Sequence, residues 1–131
     1  MGRKILAVVV ALIAAIATIS IGQMLMGLVW KPPADFMTDQ AVQKAFVAGL
    51  PTEAFISLAV VYALGSFAGG FIVTKIARQV SSGITLPLII GVLLTIAGAL
   101  NFVSIPHPTW VAILCLLVYI PSALLGHRLA R

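Results

Sequence analysis

The sequence predicts an all-α polytopic membrane protein: a bundle of four transmembrane helices with a short amphipathic helix in its outer loop. Of the 131 residues, 62% are hydrophobic and only 8% are charged, whereas a soluble domain carries about a quarter charged residues. A chain of this size cannot bury so much apolar surface in one core. The charges cluster at the ends of four long apolar runs. This composition therefore requires lipid as the main solvent.

The first apolar run, about residues 5–30, follows Arg3 and Lys4 and predicts transmembrane helix one. A cleaved signal peptide is the alternative, but its apolar region spans only about 7–15 residues. About 25 apolar residues, each rising about 1.5 Å, can cross a hydrocarbon core of about 30 Å. We therefore expect this helix to remain uncleaved.

A long polar segment, residues 31–53, follows helix one and predicts the outer loop. Within it, Val42 and Phe46 fall on one helical face. Thr38 or Asp39 can serve as the N-cap of a helix that begins at the next residue and contains this face. We expect a short amphipathic helix here, which lies on the membrane surface or covers the bundle.

Three further apolar runs predict the remaining helices at about residues 54–76, 84–104 and 109–127. A Ser-Ser-Gly turn separates helices two and three, and a proline-containing break precedes helix four. The short connections make sequential helices antiparallel. The whole chain, residues 1–131, is predicted to be a single transmembrane domain.

The distribution of lysine and arginine predicts the orientation of the bundle. The loops on one side contain six basic residues and no acid: Arg3, Lys4, Lys75, Arg78, Arg128 and Arg131. The other side holds all three acidic residues of the chain. The positive-inside rule then places both termini in the cytoplasm, and we expect a bacterial cytoplasmic (inner) membrane. Trp30 and Trp110 fall at the outer interface, where indole rings prefer to lie.

One hydroxyl group from each helix falls near the middle of the bilayer: Thr18, Tyr62, Thr95 and Tyr119. A buried phenol needs a hydrogen-bond partner that lipid does not offer, so we expect these groups to meet. Ser66, one turn from Tyr62, joins this candidate polar site. The site is either a small solute site or interhelical glue worth about 0.6–2 kcal/mol per contact. Glue is the favoured interpretation, because no group of the layer ionises near neutral pH.

Polar side chains in the outer half of the helices extend the candidate site toward the outer loop. Gln23 of helix one and Asn101 of helix three are the amides among them. Glu53 and His107 lie above these residues and predict the outer mouth of a pocket. The alternative is an ordinary interface zone, where polar residues cost little.

Small residues predict close contact between helix backbones. Helix two contains a GxxxG pair and, one residue further on, a second small-xxx-small pair. The motif does not say whether the partner helix belongs to the same chain. Helix one carries small residues on two faces, which favours a second protein surface against it. The glycines predicted to serve helix packing are Gly22, Gly65, Gly69, Gly70 and Gly126.

The residue sets of common enzyme classes are missing from the sequence. It contains no HExxH motif, no nucleotide-binding loop and no recognisable Ser-His-Asp set. The single cysteine excludes an internal disulfide and a CxxC redox pair. We therefore expect no catalytic residues, no cofactor and no metal ion. The positive charges follow membrane topology, so we also expect no nucleic-acid partner.

Two functions from different classes remain. The leading hypothesis is a non-enzymatic membrane component that associates with other membrane-protein chains, as a homo-oligomer or as an accessory subunit of a larger complex. The alternative is a small transporter or channel for a neutral or weakly polar solute. The residues expected to line its path are Gln23, Tyr62, Asn101 and Tyr119. A third and less favoured hypothesis is an enzyme or lipid-binding protein that uses Glu53 and His107 at the outer face.

Overall fold

The computed structural model of the protein describes residues 2–36, 38–78, 83–104 and 108–131. In this part of the chain the secondary structure consists of five α-helices: α1 (Gly2–Val29), α2 (Gln40–Ala48), α3 (Thr52–Ala77), α4 (Thr85–Ser104) and α5 (Thr109–Ala130). Helices α1, α3, α4 and α5 are long and apolar enough to cross a membrane. The predicted fold class, an all-α membrane protein with four spanning helices and one short helix, is confirmed.

The short helix α2 forms where the sequence pattern predicts it. Asp39 is its N-cap, and the carboxylate accepts a hydrogen bond from the backbone N–H of Ala41 at 2.9 Å. This bond satisfies one of the donors that the first turn of a helix leaves free. On the apolar face, Val47 is buried and the ring of Phe46 meets Phe36 edge to face at 5.3 Å. Helix α2 is therefore joined to the apolar core through the side chain of Val47 and not through close backbone contact with another of the described helices.

Helix α3 is the centre of the bundle and contacts α1, α4 and α5. Twelve of its residues are buried, whereas α1 buries only Ala7, Ala11 and Ala15. The rest of α1 exposes large apolar side chains such as Ile13 and Met24. Such exposure is stable in a bilayer, because lipid tails are as apolar as these side chains.

Helices α3 and α5 run parallel and pack backbone to backbone along a line that we call the α3–α5 seam. Three pairs along it keep a separation of 53 residues: Ser66–Tyr119, Gly70–Ala123 and Thr74–His127. A β-carbon on Gly70 would collide with the carbonyl oxygen of Ala123. A β-carbon on Gly126 would collide in the same way with the carbonyl oxygen of Phe67. The seam therefore requires glycine on both helices.

The other small-residue face of α3 packs against α1. A β-carbon on Gly65 would collide with the side chain of Ile19. One on Gly69 would lie 3.3 Å from the β-carbon of Ala15 and would also meet the side chain of Ile90 in α4 at 2.8 Å. Gly22 of α1 faces α3 in the same way. Both small-residue pairs of α3 thus have their partner helices within this chain, α1 for one pair and α5 for the other.

Candidate functional site

Helices α1 and α4 both pack against α3 but contact each other at few residues, and two cavities lie along the resulting gap. The outer cavity, next to α2, has a volume of about 340 Å³. The inner cavity has a volume of about 200 Å³. Gln23, Tyr62 and Asn101 line both cavities. We call the two cavities together the α1–α4 cleft, and these three residues mark the point where its two parts meet.

The outer cavity has mostly apolar walls and is covered by α2 and the residues around it. Val47 and Leu50 contribute aliphatic surface to this cover. Four aromatic rings also line the cavity: Trp30, Phe36, Phe46 and Phe55. Apolar and aromatic walls with a few convergent polar groups are typical of small-molecule sites.

Tyr62 is the centre of the polar part of the cleft. Its hydroxyl oxygen accepts a hydrogen bond from Nε2 of Gln23 at 3.3 Å. The amide of Asn101 in α4 lines both cavities together with this phenol. The Tyr62 side chain is buried, and its ring centroid lies 5.4 Å from that of Tyr119. Packing therefore fixes the phenol of α3, while α1 and α4 each bring one amide to it.

The inner cavity brings together four of the predicted site residues. None of them carries a formal charge at neutral pH. Each amide offers donors and an acceptor, and each phenol offers one donor and one acceptor. These residues are Gln23, Tyr62, Asn101 and Tyr119.

The two predicted threonines do not join this group. Thr18 donates its hydroxyl to the carbonyl oxygen of Ala14 at 2.8 Å, and Thr95 donates to Gly91 at 2.7 Å. Neither threonine lines either cavity. The expected meeting of four hydroxyl groups therefore does not occur. A threonine in a helix can use the carbonyl of the preceding turn, which removes its need for a partner on another helix.

Ser66 faces α5 instead of the cleft. It is fully buried, and its hydroxyl donates to the backbone carbonyl of Tyr119. This bond crosses the α3–α5 seam. The geometry of Ser66 therefore matches the interpretation as interhelical glue.

The predicted outer mouth is described only in part. Glu53 is exposed in the first turn of α3 and lines neither cavity. Its negative charge suits the positive end of the helix dipole. His107 lies outside the described residues. The cavity surface nearest the outer loop is instead aromatic, with Trp30 and Phe36 among its residues.

Two features of the structure were missed by sequence reasoning. The first is the set of aromatic side chains that the outer loop adds to the cavity, such as Phe36 and Phe46. The second is His127, which is buried near the end of α5, with Nδ1 2.8 Å from the hydroxyl oxygen of Thr74. The signal that could have found His127 is its position: it lies two helical turns beyond Tyr119, on the inward face of α5.

Comparisons of the chain with protein-family models, with curated proteins and with solved structures found no match. The chemistry of the cleft follows from its own residues. Among the described residues, no group of three His, Cys, Asp or Glu side chains could hold a metal ion. The described residues that line the cleft include no charged side chain. The cleft thus offers apolar contact and uncharged hydrogen bonds.

Proposed function

We propose that this protein is a small, non-enzymatic membrane transporter or channel for a neutral, weakly polar solute, and that the α1–α4 cleft is its solute site. The observation that supports this proposal is the convergence of Gln23, Tyr62 and Asn101 where the two cavities meet. Polar side chains within a membrane usually face a protein interior or a water-filled cavity and mark substrate paths. Gln23 is an exposed amide in a spanning helix, so it requires such a cavity.

The cleft defines the kind of solute. Its polar residues can pair with a hydroxyl, amide or carbonyl group, but they offer no charge to hold an ion. The outer cavity, at about 340 Å³, is at the small end of the range of about 300–1,000 Å³ for ligand pockets. A small molecule with one or two uncharged polar groups and an apolar part fits this combination.

The proposal includes an orientation. The six basic residues of the loops support cytoplasmic termini by the positive-inside rule. The outer cavity then opens on the side opposite the cytoplasm. We propose a bacterial inner membrane as the setting.

Solute flux into proteoliposomes tests this function. Stopped-flow light scattering with glycerol, urea and short-chain alcohols provides the probes, and empty liposomes provide the baseline. Tyr62→Phe removes the hydroxyl but keeps the ring that packs against Tyr119. Loss of one hydrogen bond of about 1 kcal/mol corresponds to a change in flux of about five-fold.

Thr95→Val is the matched control, because it removes a hydroxyl that bonds within its own helix. Its flux should equal that of the unmodified protein. Unchanged flux in both Tyr62→Phe and Gln23→Leu would overturn the site assignment. Flux equal to that of empty liposomes for every probe would overturn the proposed function.

Association with other chains, as a homo-oligomer or an accessory subunit, is a second candidate function. Ser20 and Gln23 support it, because both are exposed on α1 beside the cleft and a second chain that closed the cleft would cover them. The small-residue pairs of α3 no longer support it, since α1 and α5 occupy them. Purification in mild detergent separates the two functions. A monodisperse monomer without a partner would argue against association, whereas a complex that blocks maleimide labelling of Ser20→Cys would favour it.

A further inference from the structure

A buried histidine lies at the end of the bundle that carries the six basic loop residues, which we call the basic end. His127 is only 4% exposed, and its Nδ1 atom lies 2.8 Å from the hydroxyl oxygen of Thr74. The Thr74 hydroxyl also donates to the carbonyl oxygen of Gly70 at 2.7 Å. The second ring nitrogen, Nε2, is buried and has no hydrogen-bond partner in the described part of the chain.

This arrangement determines the tautomer of the neutral imidazole. A threonine hydroxyl has one proton, and the proton of Thr74 points to Gly70. The hydroxyl oxygen must then accept a hydrogen bond from His127, so Nδ1 carries the imidazole proton. Nε2 is left as a buried lone pair to which no described residue donates. Buried polar atoms without a partner are rare in proteins, and each one requires an explanation.

We propose that His127 is a proton-binding site, and that proton uptake at Nε2 loosens the basic end of the α3–α5 seam. The step adds one proton from the aqueous phase to the Nε2 lone pair and breaks no covalent bond. The product is an imidazolium with two N–H donors and a full positive charge. Within the seam only Thr74 pairs with the ring, so the buried charge is costly until the ring reaches water.

The charged residues around the basic end offer no acidic side chain to balance an imidazolium at His127. Helix α4, which also packs against α5, carries no charged residue between 85 and 104. The chain's three acidic residues all lie between residues 35 and 53, at the other end of the bundle. The free carbonyl groups in the last turn of α5 carry partial negative charge and stabilise a nearby imidazolium. The charged groups at the basic end of α1, α3 and α5 are all basic: Arg3, Lys4, Lys75, Arg78, Arg128 and Arg131.

Only the last contact of the seam contains the titrating group. Gly70 and Ser66 hold the rest of the seam through backbone contact and a serine hydroxyl, which do not respond to pH. Protonation therefore acts at the basic end of the seam. The Nδ1–H donor to Thr74 is kept, and the cost of the buried charge is relieved when this end of α5 moves and the ring reaches water. This response is independent of the solute site, which lies in the outer half of the bundle.

The proposal is tested by nitrogen-15 NMR. The full chain, labelled with nitrogen-15 at its histidines, is measured in nanodiscs. His107→Gln assigns the signals of the two histidines. At the alkaline end of the titration we expect a neutral His127 with its proton on Nδ1. On acidification Nε2 should become protonated. Amide exchange in the last turn of α5 should then rise about ten-fold or more.

Three variants decide between the outcomes. Thr74→Ser should keep the Nδ1–H tautomer, and Thr74→Val should shift the proton to Nε2. His127→Gln should abolish the acid-dependent rise in amide exchange. An Nε2–H tautomer in the unmodified protein, or a His127 ring that stays neutral until the whole bundle unfolds in acid, would overturn the proton site. An equal rise in exchange in His127→Gln would overturn the role of the site in the seam. If His127→Gln does not fold, the unmodified protein tests the seam role: amide exchange in the last turn of α5 that does not rise together with protonation of Nε2 overturns it.

Discussion

Gly70 of α3 lies directly against the backbone carbonyl of Ala123 in α5. The atom that a β-carbon on Gly70 would meet belongs to the backbone and cannot rotate away. Gly126, about one turn further along α5, makes the corresponding contact with the carbonyl of Phe67. Packing of the two helices therefore depends on one glycine from each of them.

Gly70→Ala should reduce the free energy of unfolding by about 1–3 kcal/mol, because the added methyl group forces the two backbones apart. Reversible unfolding in mixed micelles, or steric trapping in bicelles, measures this change. Gly27→Ala is the control, since its β-carbon would meet only the Cδ of Pro32 at 3.9 Å. Equal stability of the two variants would contradict the backbone contact in the seam.

Ser66→Ala should cost about 0.6 kcal/mol, and at most about 1.7 kcal/mol, because it removes one hydrogen bond between two membrane helices. Thr95→Val should leave stability nearly unchanged, since the lost hydroxyl bonds only to Gly91 in its own helix. The same unfolding assay compares the two variants. A loss at Thr95 as large as the loss at Ser66 would show that the Thr95 hydroxyl has a role between helices.

Phe46→Ala should open the cover of the outer cavity, because Phe46 lines the cavity and packs edge to face against Phe36. Leu58→Cys, in the wall of this cavity, reports access through its rate of labelling by a water-soluble maleimide. We expect this labelling rate to rise about ten-fold, which corresponds to a decrease of about 1.4 kcal/mol in the free energy of opening the cover. Phe71→Ala is the matched control outside the cleft, and an equal rise there would contradict the role of Phe46 as a cover.

Cysteine labelling in intact cells tests the orientation of the bundle. Cys115 is fully buried and should react with maleimide only after denaturation, so it serves as a folding control. Ala45→Cys and Leu129→Cys change exposed positions without altering any charge. An impermeant maleimide should label Ala45→Cys directly and Leu129→Cys only after the membrane is permeabilised. The reverse pattern would invert the proposed topology.

The helices of this protein could be predicted from the sequence because lipid imposes a simple constraint. A backbone in hydrocarbon must satisfy its own hydrogen bonds, so a long apolar run has to form a helix. Helix α2 was predictable for a different reason: Asp39 at its start supplies a local hydrogen bond that needs no tertiary partner.

The partners of individual side chains could not be predicted in the same way. A pair such as Gly65 and Gly69 indicates that some backbone comes close, but only the folded bundle identifies it as α1. Thr18 was expected to reach other helices, yet a carbonyl one turn back already satisfies it. Tyr62 cannot reach its own backbone with its hydroxyl. Its partner is on another helix, but it is the amide of Gln23 and not one of the expected hydroxyl groups.

The parallel pairing of α3 and α5, with partners 53 residues apart, determines the order in which the bundle can assemble during synthesis. Helix α3 enters the membrane before α5 has been translated, so α1 is the only neighbour available to it at first. During this interval Ser66 and Gly70 face lipid or the insertion machinery, and Thr74 is already satisfied by its own helix. If translation stopped after α4, the face of α3 that packs against α5 would have no partner helix. Arrival of α5 is therefore the step that turns an inserted chain into a folded one.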